Sequence, residues 1–296
     1  MLFPESVRAV AAAAGDLPVT TPGYDIEAAR AAALEAALAE PREDVAEVRD
    51  LDADGVRCRL HVPEGADTGL VLHLHGGGFV FHDVDVHDAA ARRLANRSGL
   101  RVLSVDYRRP PEHRFPAAPD DVDTVLAWLA REDGGAGLAG GGATYAHGDS
   151  AGANLALVAA LRNPGRIAAL ALVYPFLDPT QAGESYRTAA DGFDPAEAAW
   201  YWQQYAAGPD DLEDPDLAPL LSDRLGTLPP TLVVTAEHDP LRDEGEELAR
   251  RLAAEGVEVV ATRYLGQVHG FWRHSDVFPA AEPLTVQVAG FLRLHG

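Results

Sequence analysis

From residue 69 onward, short and almost continuously apolar segments alternate with longer stretches whose apolar residues recur at helical spacing. The apolar segments are GLVLHLH (69–75), LRVLSVDY (100–107), GATYAH (142–147), IAALALVY (167–174), TLVVTAEH (231–238) and VEVVATRYL (257–265). Helical stretches fill 85–97, 117–131, 151–162 and 241–255 between them. Strands apolar on both faces must be covered on both faces, so the alternation predicts a parallel sheet between two layers of helices. Two more strands precede this block: VAEVRDL and GVRCRLHV, joined by Asp-Ala-Asp-Gly, predict an antiparallel hairpin and bring the sheet to eight.

The ends of this pattern differ from its middle. Residues 24–40, YDIEAARAAALEAALAE, are rich in helix formers and stop at Pro41, so the first 45 residues predict helices outside the sheet. Between 167–174 and 231–238 the alternation lapses into a long insertion. It holds a helix start, with Asp194 as N-cap, Pro195 at the first position and Glu197 at the third. An insertion after the C-terminal end of a strand is placed to roof a pocket. The expected fold is therefore α/β, a mostly parallel eight-stranded sheet with helices on both faces. Residues 46–177 and 231–296 form its catalytic domain, and 1–45 and 178–230 a helical cap.

Composition narrows the partners. A formal net charge of −22, with arginine supplying all 24 Lys and Arg residues, repels phosphate backbones and anionic lipid, so neither nucleic acid nor a membrane surface is expected as partner. Cys58 is the single cysteine, which excludes an intrachain disulfide and cysteine-based metal clusters. The N-terminal MLFPESVRAVAAAAGD lacks the basic leader and apolar block of a secretory signal. The longest apolar runs, such as IAALALVYPF, reach only about half a bilayer span. A soluble cytoplasmic protein is expected. The glycine-rich 132–143 is followed by a strand, whereas a phosphate-cradling loop needs a helix there.

One short motif carries chemistry. Gly148-Asp149-Ser150-Ala151-Gly152 lies between a strand and a helix, where two small residues allow a sharp turn that leaves the serine projecting above the sheet. A serine hydroxyl needs a base, and the base needs an orienting acid. Asp239 follows TLVVTAEH and His269 follows VEVVATRYL, each at a strand's C-terminal end and in the chain order this turn demands. Asp243 is a rival acid, but it falls inside the helix after Pro240. His238 and His274 are rival bases; His238 adjoins Asp239 and points to the other side of an extended backbone. His75-Gly76-Gly77-Gly78 ends another strand, and glycine lets main-chain N–H groups approach an oxyanion; the Ala151 N–H adds a donor.

Four blocks in this order, HLHGGGFV, DYRRPPEHRFPAAPDD, HGDSAGANLA and DPLRDEG with VHGF, resemble the hormone-sensitive-lipase-like (bacterial family IV) esterases of the α/β-hydrolase superfamily. The resemblance covers 73–271 and extends to the helical N-terminus and the insertion, which are similar to that family's cap. It implies Ser150 as nucleophile, Asp239 as acid, His269 as base, and Gly77, Gly78 and Ala151 as oxyanion donors. It also implies small, short-acyl ester substrates and no metal or organic cofactor. The second block departs from the family's Tyr-Arg-Leu-Ala-Pro-Glu-His-Pro-Phe-Pro at Arg109, Pro110 and Arg114, where only the charge beside the site is in question. An amidase, an acyltransferase or a receptor of the same fold stays open as an alternative; retention of His269 speaks against the receptor.

Around this core, Phe79, Trp202 and Tyr205 are expected to touch substrate. His73 and His75, two apart on a strand, share a face and could hold a metal with His82 or His87, but no third ligand has the right spacing, so no metal is expected. The segment 257–265, at a sheet edge, leaves a homodimer open.

Overall fold

The computed structural model describes residues 1–296. Its sheet has eight strands, β1 (Glu47–Ala53), β2 (Val56–Val62), β3 (Leu70–Leu74), β4 (Arg101–Val105), β5 (Thr144–Asp149), β6 (Leu170–Val173), β7 (Thr231–His238) and β8 (Val259–Val268). They lie in the order β1-β2-β4-β3-β5-β6-β7-β8. β3 to β8 run parallel, and β1 and β2 form the expected antiparallel hairpin, turned by Asp54 and Gly55 with φ of 55° and 94°. That is the two-residue Asp-Gly turn whose positive φ values match strand twist.

The helices are α1 (Pro4–Ala13), α2 (Ile26–Ala39), α3 (Asp88–Ser98), α4 (Ala117–Leu129), α5 (Ala151–Arg162), α6 (Ser185–Thr188), α7 (Pro195–Tyr205), α8 (Arg242–Ala254) and α9 (Ala281–Leu294). Side chains alternate across the sheet, so each strand feeds two cores. Leu70, Leu72 and Leu74 of β3 pack toward α4, α5 and α8, while Val71 packs toward α3 and α9. His73 follows Val71 to the second face, where His147 and Trp272 meet it. α7 begins as anticipated, with the Asp194 carboxylate accepting from the Ala196 N–H at 2.8 Å.

α2 lies outside the sheet and buries only Ala37. Arg30 anchors it, donating to the carbonyls of Val80 and Pro110 at 2.9 and 2.6 Å and pairing with Glu112 at 2.8 Å.

Glu244 on α8 is a buried carboxyl with no cation beside it. It accepts from the Leu177 N–H at 2.6 Å and the Tyr186 hydroxyl at 3.1 Å. Burial holds it protonated well above the usual carboxylate range. The unfolded chain gives up this proton first as pH rises, so ionisation subtracts stability above the ordinary carboxylate range and not below it. Glu244→Gln keeps an acceptor for Leu177 and removes the charge. Its Tm should exceed wild type by roughly 3 °C at pH 8, about 1 kcal/mol, and by little near pH 4. Calorimetry at the two pH values checks this, and an equal gain at both would contradict it.

Candidate active site

Ser150 forms the joint between β5 and α5, with φ 55° and ψ −121°, a region L-residues enter only under constraint. The constraint comes from the neighbouring strand. The Ser150 N–H donates to the Val173 carbonyl at 2.9 Å, and the Ser150 carbonyl accepts from Ala153, Asn154 and Phe176. A Cβ on Gly148 would strike the Gly152 carbonyl, and one on Gly152 the Leu74 carbonyl at the end of β3. Both glycines of the motif are therefore steric requirements of the turn that lifts the serine over the sheet edge.

Two strand ends bring the partners. Asp239 directly follows β7 and His269 directly follows β8. His269 Nδ1 lies 2.8 Å from Asp239 Oδ2, and its Nε2 lies 2.9 Å from Ser150 Oγ. A carboxylate only accepts, so Nδ1 carries the ring proton and Nε2 is free to accept from the serine hydroxyl. Asp239 is fully buried, and its other oxygen accepts the Leu241 N–H at 2.9 Å. The imidazole is held between Tyr174 and Phe193, at 4.7 and 4.9 Å between ring centres. The rivals are engaged elsewhere: Asp243 accepts from the Ser185 N–H, His238 meets Asp191, and His274 sits against Arg273.

The glycine loop after β3 faces the same point. Gly77 and Gly78 have φ of 114° and 59°, and a Cβ on the first would strike the Phe81 carbonyl, on the second the Tyr201 ring. The N–H groups of Gly77, Gly78 and Ala151 donate to no main-chain carbonyl. Beneath the loop, the Gly76 N–H donates to Asp149 Oδ1 at 3.0 Å, and the Tyr107 hydroxyl donates to the His75 carbonyl at 2.7 Å with the two rings stacked. The divergent block is thus part of the scaffold. Arg109 donates to the His82 carbonyl, and Arg114 to the carbonyls of Gln203 and Ala206 on the insertion. Burial raises Asp149 to about 7 and holds His75, His82 and His87 well below the ordinary histidine range.

Ser150 and His269 open into a cavity of about 330 Å³. The N-terminal segment supplies Val19, Tyr24, Ala29 and Ala33 to its wall, and the insertion supplies Gly192, Phe193 and Tyr201. Phe79, Trp202 and Tyr205, expected at the substrate, do not line it. All three are buried, Phe79 stacks on Tyr205 at 3.8 Å, and Trp202 packs on Phe176 at 4.2 Å. Helical spacing explains the correction: Ala198, Trp202 and Tyr205 form one buried stripe of α7, and Tyr201 lies beside that stripe and reaches the cavity. Tyr24, Phe81, Phe193 and Arg273, which line the wall, were missed by sequence reasoning. No motif marks them, because they come from segments far apart in the chain.

A nucleophile elbow, an imidazole and a carboxylate at the C-terminal edge of a mostly parallel sheet define a serine hydrolase of the α/β-hydrolase class. A family model described as alpha/beta hydrolase fold matches residues 71–273. The carboxylic ester hydrolase LipN of Mycobacterium tuberculosis is 36% identical over 290 residues, 92% of this chain and 77% of the relative. The arylesterase of Saccharolobus solfataricus is 35% identical, over 79% of this chain and 80% of the relative. The hyperthermophilic esterase from the archaeon Pyrobaculum calidifontis superposes with a TM-score of 0.88 at 34% identity, covering 99% of this chain and 98% of its own. The chain belongs to the hormone-sensitive-lipase-like esterases of the α/β-hydrolase superfamily.

Proposed function

We propose that this enzyme hydrolyses small, short-acyl carboxylic esters, with Ser150 as nucleophile, His269 as general base and then acid, and Asp239 orienting the ring and stabilising the imidazolium. The observation that carries it is the hydrogen-bonded line from Ser150 through His269 to Asp239, at 2.9 and 2.8 Å, opening into a small cavity. Oγ attacks the ester carbonyl carbon as its proton passes to His269 Nε2. The oxyanion that forms is received by the N–H groups of Gly77, Gly78 and Ala151. The C–O bond to the alcohol then breaks, and His269 returns the proton to the leaving oxygen. Water attacks the acyl-enzyme by the same route, releasing the acid and restoring Ser150. No metal or organic cofactor enters these steps.

We assign residues 1–45 and 178–230 the role of a cap that sets acyl length. Phe193 and Gly192 line both the catalytic cavity and an outer groove of about 520 Å³ between α1 and the insertion. Phe193→Ala should join the two. The octanoate-to-butyrate ratio of kcat/KM should rise roughly 10-fold, the worth of two newly buried methylenes at about 0.8 kcal/mol each. A chromogenic ester series of increasing acyl length, run on wild type, Phe193→Ala and Ser150→Ala, tests both readings. An unchanged ratio removes Phe193 as the partition, and equal slow turnover by wild type and Ser150→Ala overturns the esterase. Labelling by a serine-directed phosphonate separates a hydrolase from a receptor.

No helix is long and apolar enough to cross a membrane. We place the enzyme in the cytoplasm, acting on dissolved esters, and its net charge of −22 disfavours nucleic-acid and anionic-membrane partners. The edge strand β8, where Val260 and Leu265 are exposed, is the surface we assign to a homodimer.

A further inference from the structure

On the α3 side of the sheet, directly behind the elbow, lies a buried cluster that the ester chemistry does not use. His73 from β3, His87 at the start of α3 and Asp149 at the end of β5 each present one donor atom, and the three atoms lie within 4.8 Å of one another. His73 Nε2 and His87 Nδ1 are both buried and have no hydrogen-bond partner in the protein. The Asp149 carboxylate faces no arginine within pairing distance, its nearest basic atom being His87 Nδ1 at 3.7 Å. Lone-pair donors converging on one point need a proton or a cation between them, and burial of Asp149 favours the proton when no ion is bound.

The outer contacts of the two rings admit a tautomer of each that leaves the inward nitrogen bare. His73 Nδ1 lies 3.0 Å from His147 Nδ1, and His87 Nε2 lies 3.3 Å from His82 Nδ1. With these outer nitrogens carrying the ring protons, His73 Nε2 and His87 Nδ1 are left as bare acceptors aimed at Asp149. Asp149 is oriented in turn by the Gly76 N–H at 3.0 Å. Each inward donor therefore has an outer partner holding its direction, which is how metal-ligating imidazoles and carboxylates are oriented. Sequence spacing discouraged a metal because His73 and His75 had no third ligand. The fold turns His75 toward Tyr107 and the Gly76 carbonyl and supplies Asp149 instead, from a strand that pairs with β3. Asp149 also lines the catalytic cavity.

We propose that His73 Nε2, His87 Nδ1 and the Asp149 carboxylate form a binding site for one divalent transition-metal ion. Two imidazoles and a carboxylate suit a borderline ion such as Zn²⁺, Co²⁺ or Fe²⁺ rather than Mg²⁺ or Ca²⁺. The ion ties β3, α3 and the elbow together from behind, and takes no part in the acyl steps.

The test uses the untagged full chain, stripped with a chelator and dialysed against Zn²⁺ or Co²⁺. One equivalent should stay bound, Co²⁺ should show ligand-field absorption with nitrogen ligands, and His73→Phe or His87→Phe should each weaken binding at least about 10-fold. No retained ion in wild type overturns the proposal, as does retention unchanged in both folded variants. Should the variants fail to fold, wild-type crystals soaked in Co²⁺ decide by anomalous scattering at the cobalt edge. A peak about 2.1 Å from the two nitrogens supports the site. Peaks only at other histidines overturn it.

Discussion

Ser150→Ala is expected to lower kcat on a chromogenic acetate ester by about 10⁵- to 10⁶-fold, and His269→Ala by the same order, while the double variant loses almost nothing more. The two side chains act as one unit: Oγ is useless without Nε2 at 2.9 Å to take its proton, and without Oγ no acyl-enzyme forms on which Nε2 could activate water. KM should change little, because neither group binds the ester tightly before attack. Asp239→Asn should cost about 10⁴-fold with the backbone intact, and the local geometry says why. The outer oxygen of Asp239 accepts the Leu241 N–H, so an amide placed there keeps its carbonyl toward Leu241 and turns its NH₂ toward His269. That forces the imidazole proton onto Nε2, the wrong nitrogen for a base. Single-turnover kinetics on the three variants and the double variant check the ranking. More than about 1% residual activity in Ser150→Ala would contradict it.

These residues were legible in the sequence because each is pinned by a main-chain event. Ser150 sits where a strand must turn into a helix between two glycines, and Asp239 and His269 follow strands whose apolar runs mark their ends. The central strands β3 to β7 were legible for the same reason, since a strand buried on both faces leaves no polar alternation to mistake for anything else. The pocket wall was not. Tyr24 and Tyr201 meet across segments with no shared period, and only packing decides that Tyr201 faces the cavity while Trp202 and Tyr205 face the core. The buried histidines show the same limit. Spacing alone paired His73 with His75, whereas strand pairing beside β5 and the start of α3 brought Asp149 and His87 to His73.

Gly152→Val should be the most damaging change that touches no reacting atom. Gly152 opens the first turn of α5, and a Cβ there would run into the carbonyls of Leu74 and His75. Those are backbone atoms at the end of a central strand, so no side-chain rotation relieves the clash; the helix must move off the sheet. α5 is buried along almost its whole length, so moving it opens the core cluster shared with α4 and α8. Overpacking against backbone costs about 3 kcal/mol or more, which lowers Tm by roughly 10 °C in a domain of this size. Activity should fall further than the folded fraction does. The same shift carries Ser150 away from His269 and rotates the Ala151 N–H away from Gly77 and Gly78, and misplacement by about 1 Å alone costs on the order of 10²-fold. Gly165→Val serves as the control, since a Cβ at Gly165 meets nothing within 4 Å, although its φ of +79° still strains a valine. It should lose stability while retaining kcat per folded molecule. If Gly152→Val kept wild-type kcat per folded molecule, the close passage of α5 over β3 would have no part in aiming the nucleophile.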